Sequence, residues 1–195
     1  VAVSVTNAAQ KEIHRGIVPE SAIQAAVQKV LDFIKDDSVD FLIRTGAAHY
    51  LFGYIHPFYN GNGRLSRFIS SFLLTQELDP LIAYRLSYTV KENLTQYDDA
   101  FKLCNDPRNY GDITPFVMWF LEIVQEAIVK LSFALSERAH DLEHYSHLLE
   151  QNPVLNTKPL YEISFYLIQA SLFSDEGIST RMLIDHTKIS RTTLM

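Results

Sequence analysis

The 195 residues predict a mainly α-helical protein that opens with a short β-hairpin. Three observations carry this. Apolar residues recur at helical spacing in several separate stretches, Thr114-Pro115 is a helix-opening pair, and strict alternation is confined to Val1-Ala2-Val3-Ser4-Val5. Forty-seven per cent hydrophobic and 21% charged residues are the composition of a packed globular protein, and 12 Phe with 10 Tyr suit an aromatic-rich helical core.

In order along the chain, Thr6-Asn7 begins a turn leading toward Glu12-Ile13-His14, completing the hairpin. Ser21-Ala-Ile-Gln24 has the pattern of a capping box ahead of one apolar face, Ile23, Val27, Val30, Leu31 and Ile34. From Asp40 to Tyr54 the pattern is apolar on most sides, which predicts a buried central helix whose Gly46 and Gly53 permit close packing. Leu65, Phe68, Ile69, Phe72 and Leu73 form a further stripe, so a helix starts near Gly63 and runs to about Glu77. Another spans Lys91 to Cys104, and a long one runs from Thr114 to about Gln151 with Phe116, Phe120, Val124, Ile128, Leu131, Leu135 and Leu142 on its core face. Asn152-Pro153 to Lys158-Pro159 reads as a linker. Helices follow at Leu160–Leu172 and Ser179–His186, with Ser190 as cap of another that stops at Met195.

The most informative stretch is His56-Pro57-Phe58-Tyr59-Asn60-Gly61-Asn62-Gly63-Arg64-Leu65-Ser66-Arg67. Gly61 and Gly63 let the backbone adopt positive φ and bring its N–H groups close to an anion. A glycine loop feeding a helix N-terminus is a phosphate site, because free amides and the helix dipole point the same way. Arg64, Arg67 and Ser71 lie off the apolar stripe, where two guanidiniums can fork around phosphate oxygens. Pro57 disfavours helix at His56, so the preceding helix ends there and offers an imidazole suited to take a proton near neutral pH. Phe58 is the expected apolar plug under the loop. Asn60-Gly61 and Asn62-Gly63 are also hairpin dipeptides, but the helical stripe from Leu65 argues against a hairpin.

This run resembles the Fic (filamentation induced by cAMP) motif, His-Pro-Phe-x-Asp/Glu-Gly-Asn-Gly-Arg-x-x-Arg, at every fixed position but one, and the resemblance extends from about Val1 to Gln151. It implies a Fic-type helical bundle over residues 1–152, with the hairpin as a flap, followed over 153–195 by a truncated winged helix-turn-helix. It also implies a protein adenylyltransferase that moves AMP from ATP to a Ser, Thr or Tyr hydroxyl (AMPylation). His56 would be the general base. The backbone of Gly61, Asn62 and Gly63 would form the anion hole, with the Asn62 side chain orienting the α-phosphate. Arg64 and Arg67 would hold the outer phosphates. Ile13, His14, Arg15 and Gly16 would lie over the nucleotide, and the flap edge would pair with the target protein. Tyr97 matches the first position of a family pattern lining the adenine and ribose pocket, with Asp98 and Phe101 in place of its second tyrosine and its leucine; Asn105 fits downstream.

The departure is Asn60, where the family carries a carboxylate that ligates Mg²⁺. A neutral carbonyl oxygen is a poorer ligand for a hard cation, so Mg²⁺ would be held weakly, mostly by the phosphates. Three consequences are open: reduced catalysis, another phosphate donor, or a degenerate nucleotide-binding regulator whose C-terminal module binds DNA. Doc-type kinases accept Asn here but carry Lys at the position of Gly63, which keeps AMP transfer ahead. Many relatives are held off by a Ser/Thr-x-x-x-Glu-Gly/Asn helix. Glu176-Gly177 and Glu92-Asn93 have Leu172 and Tyr88 at its first position, so any inhibitory helix or antitoxin would come from elsewhere.

A net charge of −6 disfavours nucleic acid as a partner, and Lys158, Arg181, Lys188 and Arg191 only balance Glu162, Asp175, Glu176 and Asp185 in the tail. A single cysteine, Cys104, excludes an internal disulfide, suits a reducing cytoplasmic compartment and reads as a core filler. No apolar run approaches membrane-spanning length, and no signal-peptide pattern opens the chain. The start at Val1 reads as a fragment. His140, His144 and His147 share one helix side, but nothing around them supplies the supporting ligands of a metal site, so they read as a solvated face.

Overall fold

The computed structural model describes residues 4–6 and 12–189. Two compact units, residues 1–131 and 132–195, divide the chain. In the first, β1 (Ser4–Thr6) pairs antiparallel with β2 (Glu12–Arg15), Val5 opposite His14 and Ser4 opposite Arg15. The flanking residues Val1–Val3 and the turn begun at Asn7 lie outside the described residues. Helices dominate thereafter, as the sequence predicts.

α1 (Glu20–Ile34) starts without the capping box. The Pro19 carbonyl accepts from the amides of Ala22 (2.9 Å) and Ile23 (3.1 Å), and Gln24 turns instead to Glu20 (3.3 Å). Its buried side is Ile23, Ala26, Val27, Val30 and Ile34, while Leu31 from the expected stripe stays 46% exposed. This face packs on α2 (Phe41–Ile55), which begins where the Asp40 carboxylate accepts from the amides of Leu42 and Ile43. Thr45 to Tyr50 are all buried, so α2 is the central helix foreseen. Its glycines are contact surfaces: a Cβ on Gly46 would sit 3.0 Å from the Phe120 ring, and one on Gly53 2.7 Å from Phe101.

α3 (Asn62–Leu74) forms where the stripe predicts, yet buries a different face. Asn62, Ser66, Ser70 and Leu74 point inward, whereas Phe68 and Phe72 are 67% and 58% exposed. The small hydroxyl side chains let α3 lie close to α2, and Ser70 Oγ sits 2.9 Å from Nδ1 of the fully buried His49. α4 (Pro80–Glu92) is a helix the stripe analysis omits. Asp79 accepts from the Leu81 amide (2.9 Å), Pro80 fills the first position where no N–H is needed, and Ala83, Leu86 and Val90 enter the core. The helix expected from Lys91 is therefore split. Its first residues close α4, and α5 (Leu94–Asn105) starts after Asn93, whose amide donates to Thr89 O (2.9 Å) and Glu126 (3.2 Å).

The core joins Tyr50, Leu74, Leu86, Val90 and Cys104 with Phe116, Trp119, Phe120, Ile123 and Val124 from α6 (Thr114–Gln151). Cys104 is buried there, and burial raises its thiol pKa, as befits a core filler. In the second unit α7 (Lys158–Phe173) starts two residues before the predicted Leu160, and Arg138 Nε donates to the Leu172 carbonyl (2.8 Å). The Ser179 hydroxyl caps α8 (Thr180–Thr187) by accepting from Met182 N (3.2 Å). The helix expected after Ser190 falls outside the described residues. His140, His144 and His147 are exposed, and among the described residues no cluster of three His, Cys, Asp or Glu could hold a metal ion. No helix among them is long and apolar enough to cross a membrane.

Candidate active site

α2 ends at Ile55, and His56 takes a left-handed backbone (φ 51°, ψ 58°) as its C-cap, with its N–H on Phe52 O (3.1 Å). A non-glycine residue held there stores of order 1–3 kcal/mol, and such strain persists where the surroundings over-determine it. The surroundings here are specific. The ring lines the cavity, its centroid 6.3 Å from that of His14. Burial lowers the His56 pKa most, the Gly53 backbone opposes this, and the nearby His14 lowers it further. The imidazole is therefore neutral near pH 7, the state a general base requires.

The loop after it turns through Gly61, whose φ of 84° is the left-handed geometry glycine provides. Gly63 is helical and uses its missing Cβ differently. A Cβ there would lie 3.4 Å from Arg67 Nη1, just as one on Gly61 would lie 3.7 Å from Arg64 Nη2. Both guanidiniums thus fold back onto the loop. No side chain caps α3, so its first amides are left for an anion at the positive end of the helix.

The Asn62 side chain accepts from the Phe58 N–H (3.0 Å) and donates to its carbonyl (2.6 Å), which staples the loop and leaves a second amide hydrogen at the cavity wall. One expectation for this loop is corrected. Phe58 is no plug: it is 50% exposed, and the staple on its backbone holds the loop.

A cavity of about 240 Å³ opens in front of His56, walled by His14, Gly53, Asn62, Gly63 and Ser66, and across from them by Tyr97, Asp98, Phe101, Lys102 and Asn105. Ligand pockets commonly span about 300–1,000 Å³, so this one takes a small ligand or part of a larger one. Arg64 and Arg67 line the adjoining depression rather than the cavity itself. Asn60 is exposed on the loop and off the cavity wall.

Of the described flap residues, His14 lines the cavity. Its Nε2 donates to the Tyr54 carbonyl (2.6 Å), and its ring centroid is 6.3 Å from that of His56. Gly16 is buried against His56: a Cβ there would meet His56 Cβ and Ile55 O, each at 3.0 Å. Arg15 is exposed on β2, and Ile13 lies on the same strand.

Tyr97 and Asn105 both line the wall. Asn105 Oδ1 accepts from Tyr50 OH (2.8 Å), which turns its amide group into the remaining donor. The Tyr97 hydroxyl is 3.4 Å from His49 Nε2, and burial raises its pKa to about 12. His49 itself is pushed down to about 3, by burial first and then by the Arg67 charge, so it stays neutral and serves as a buried link between Ser70 and Tyr97. Sequence reasoning missed Gly53, Ser66, His49 and Lys102. For Lys102 a signal existed, since 97, 98, 101, 102 and 105 share one helix face.

Comparison with known proteins agrees with this geometry. The Fic/DOC family model matches residues 5–74. The chain is 31% identical over 113 residues to the protein adenylyltransferase Fic of Aedes aegypti, covering 58% of this chain and 20% of that one. It is 32% identical over 93 residues to the same-named protein of Culex quinquefasciatus, covering 48% and 17%. It therefore spans about a fifth of the length of these curated relatives. The crystal structure of a Fic family protein from Desulfovibrio desulfuricans G20 superposes with a TM-score of 0.60 at 21% identity, over 98% of this chain and 50% of that one, a likeness of fold. The loop from His56 to Arg67 lies inside the segment that matches the Fic/DOC family.

Proposed function

We propose that the chain transfers AMP from ATP to a hydroxyl of a target protein. The observation that carries this reading is His56, a neutral imidazole on the cavity wall, beside an uncapped helix start flanked by two arginines. The base and sugar would occupy the cavity against Tyr97, Phe101 and Asn105. The α-phosphate would lie at the first amides of α3, and the outer phosphates at Arg64 and Arg67. The target oxygen attacks the α-phosphorus while its proton passes to His56. The bond from that phosphorus to the bridging oxygen breaks, and pyrophosphate leaves with the electron pair. The residues contribute positioning and fixed charge, the main terms in phosphoryl chemistry.

Asn60 offers one neutral, exposed oxygen, and no carboxylate cluster accompanies it among the described residues. These residues do not fit a resident metal site. We read Mg²⁺ as arriving on the phosphates of ATP, with Asn60 as its weak protein ligand. A target segment would pair along the β1–β2 ribbon, and an acidic inhibitory helix or a separate antitoxin would act by competing for Arg67. Incubation with α- or γ-labelled ATP tests the reading. Label from the α-position alone supports AMP transfer, whereas label from the γ-position alone makes the protein a kinase.

Asn60 also favours a second reading: a nucleotide-binding regulator without turnover, working through its C-terminal helices on DNA, or a transferase using another phosphate donor. Asn60→Asp separates the two. Transfer seen only in that variant makes the natural protein a binder.

A further inference from the structure

Next to the catalytic cavity lies a depression lined by Arg64, Arg67, Ser87, Lys91 and Leu94. It gathers three cations and no carboxylate, in a chain whose net charge is −6. Among the described residues none of the three cations has an ion-pair partner. The acid nearest Lys91 in sequence, Glu92, is taken by Lys130 at 2.9 Å, and Glu126 is bound to the same lysine. Lys91 stands in the last turn of α4, where the negative end of the helix favours its charge. Three like charges around one hollow repel, and an anion of matching charge relieves the repulsion.

The location names the anion. Arg67 Nη1 lies against Gly63 in the cavity wall, so the depression continues the path along which a polyphosphate leaves the cavity. Positive charge is needed there, because Asn60 stands where a carboxylate would otherwise hold a cation against the leaving group. We propose that this depression holds the departing pyrophosphate, and that Lys91, outside the histidine loop, is its third cation. Resting on the AMP-transfer reading, the inference assigns Lys91 to leaving-group stabilisation. As the bond between the α-phosphorus and the bridging oxygen breaks, the electron pair goes to pyrophosphate, and Arg64, Arg67 and Lys91 face the new charge. The Lys91 ammonium is a compact, mobile point charge able to follow it.

Titration calorimetry of the 195-residue chain with inorganic pyrophosphate and, separately, with AMP, both in EDTA, tests this. Lys91→Ala should weaken pyrophosphate binding about tenfold and leave AMP binding within about twofold, while Lys91→Arg keeps most of the affinity. Lys91 is exposed, and a thermal melt checks that the variant is folded. A wild-type chain that binds no pyrophosphate overturns the proposal, as does a Lys91→Ala variant that binds it normally or loses AMP and pyrophosphate equally. The two readings fail separately. Lys91-dependent pyrophosphate binding without α-label transfer leaves the anion site standing and removes the transferase; transfer without Lys91 dependence does the reverse.

Discussion

Replacing Gly16 by alanine should damage catalysis without touching the ligand cavity. The added methyl would lie 3.0 Å from His56 Cβ, 3.0 Å from the Ile55 carbonyl and 3.1 Å from that of His56. Carbon atoms rest about 3.5–4.0 Å apart, so something must yield by about half an ångström. The strand cannot slide away easily, because the Ile17 amide is bonded to Ile55 O at 3.1 Å. No backbone strain enters, since Gly16 is outside the left-handed region. The displacement therefore falls on His56. Overpacking of this kind costs about 1–3 kcal/mol of stability. A misplacement of about 1 Å costs about a hundredfold in rate, so half of that implies about tenfold. Single-turnover transfer from α-labelled ATP should slow about tenfold, while ATP affinity stays within about twofold because Gly16 does not line the cavity. Unchanged turnover, or equal losses in affinity and rate, would refute the reasoning that Gly16 acts by seating His56.

Four further outcomes follow from the site. His56→Asn keeps a residue that tolerates the left-handed backbone but removes the base, so transfer should fall by at least about a hundredfold; retention of more than a tenth of the activity would exclude general-base catalysis by His56. Because burial holds the His56 pKa below its ordinary 6.5, activity should be flat through neutral pH and fall only as acid protonates the ring, and a midpoint above 6.5 would contradict this. Between pH 6.5 and about 3 the folded chain binds fewer protons at His49 than the unfolded chain, so acidification should destabilise it by up to about 1.4 kcal/mol per pH unit. Urea unfolding at several pH values should show a shallower slope for His49→Gln; an identical slope would remove His49 from the account. Gly53→Ala, with its methyl 2.7 Å from Phe101, should push that ring into the cavity and raise the KM for ATP about tenfold; an unchanged KM would show that Phe101 swings elsewhere.

The sequence alone determined that the chain is helical and where its loop chemistry sits. Periodicity is a local property, and so is this glycine loop: His56, Gly61, Gly63, Arg64 and Arg67 fall within twelve consecutive residues because one turn and one helix start suffice to build it. Only the tertiary structure decided which faces are used. On α3 the apolar stripe through Phe68 and Phe72 stays exposed while Asn62, Ser66 and Ser70 go inward, since period 3.6 reports that a helix forms but not what it meets. Gly16 beneath His56, the Asn62 staple, the His49 link from Ser70 to Tyr97, and Lys91 beside the two arginines each join residues on different elements or across a turn. Such pairings are set by how α2, α3, α4 and α5 pack, and packing depends on the shapes of distant side chains that no spacing along one helix records.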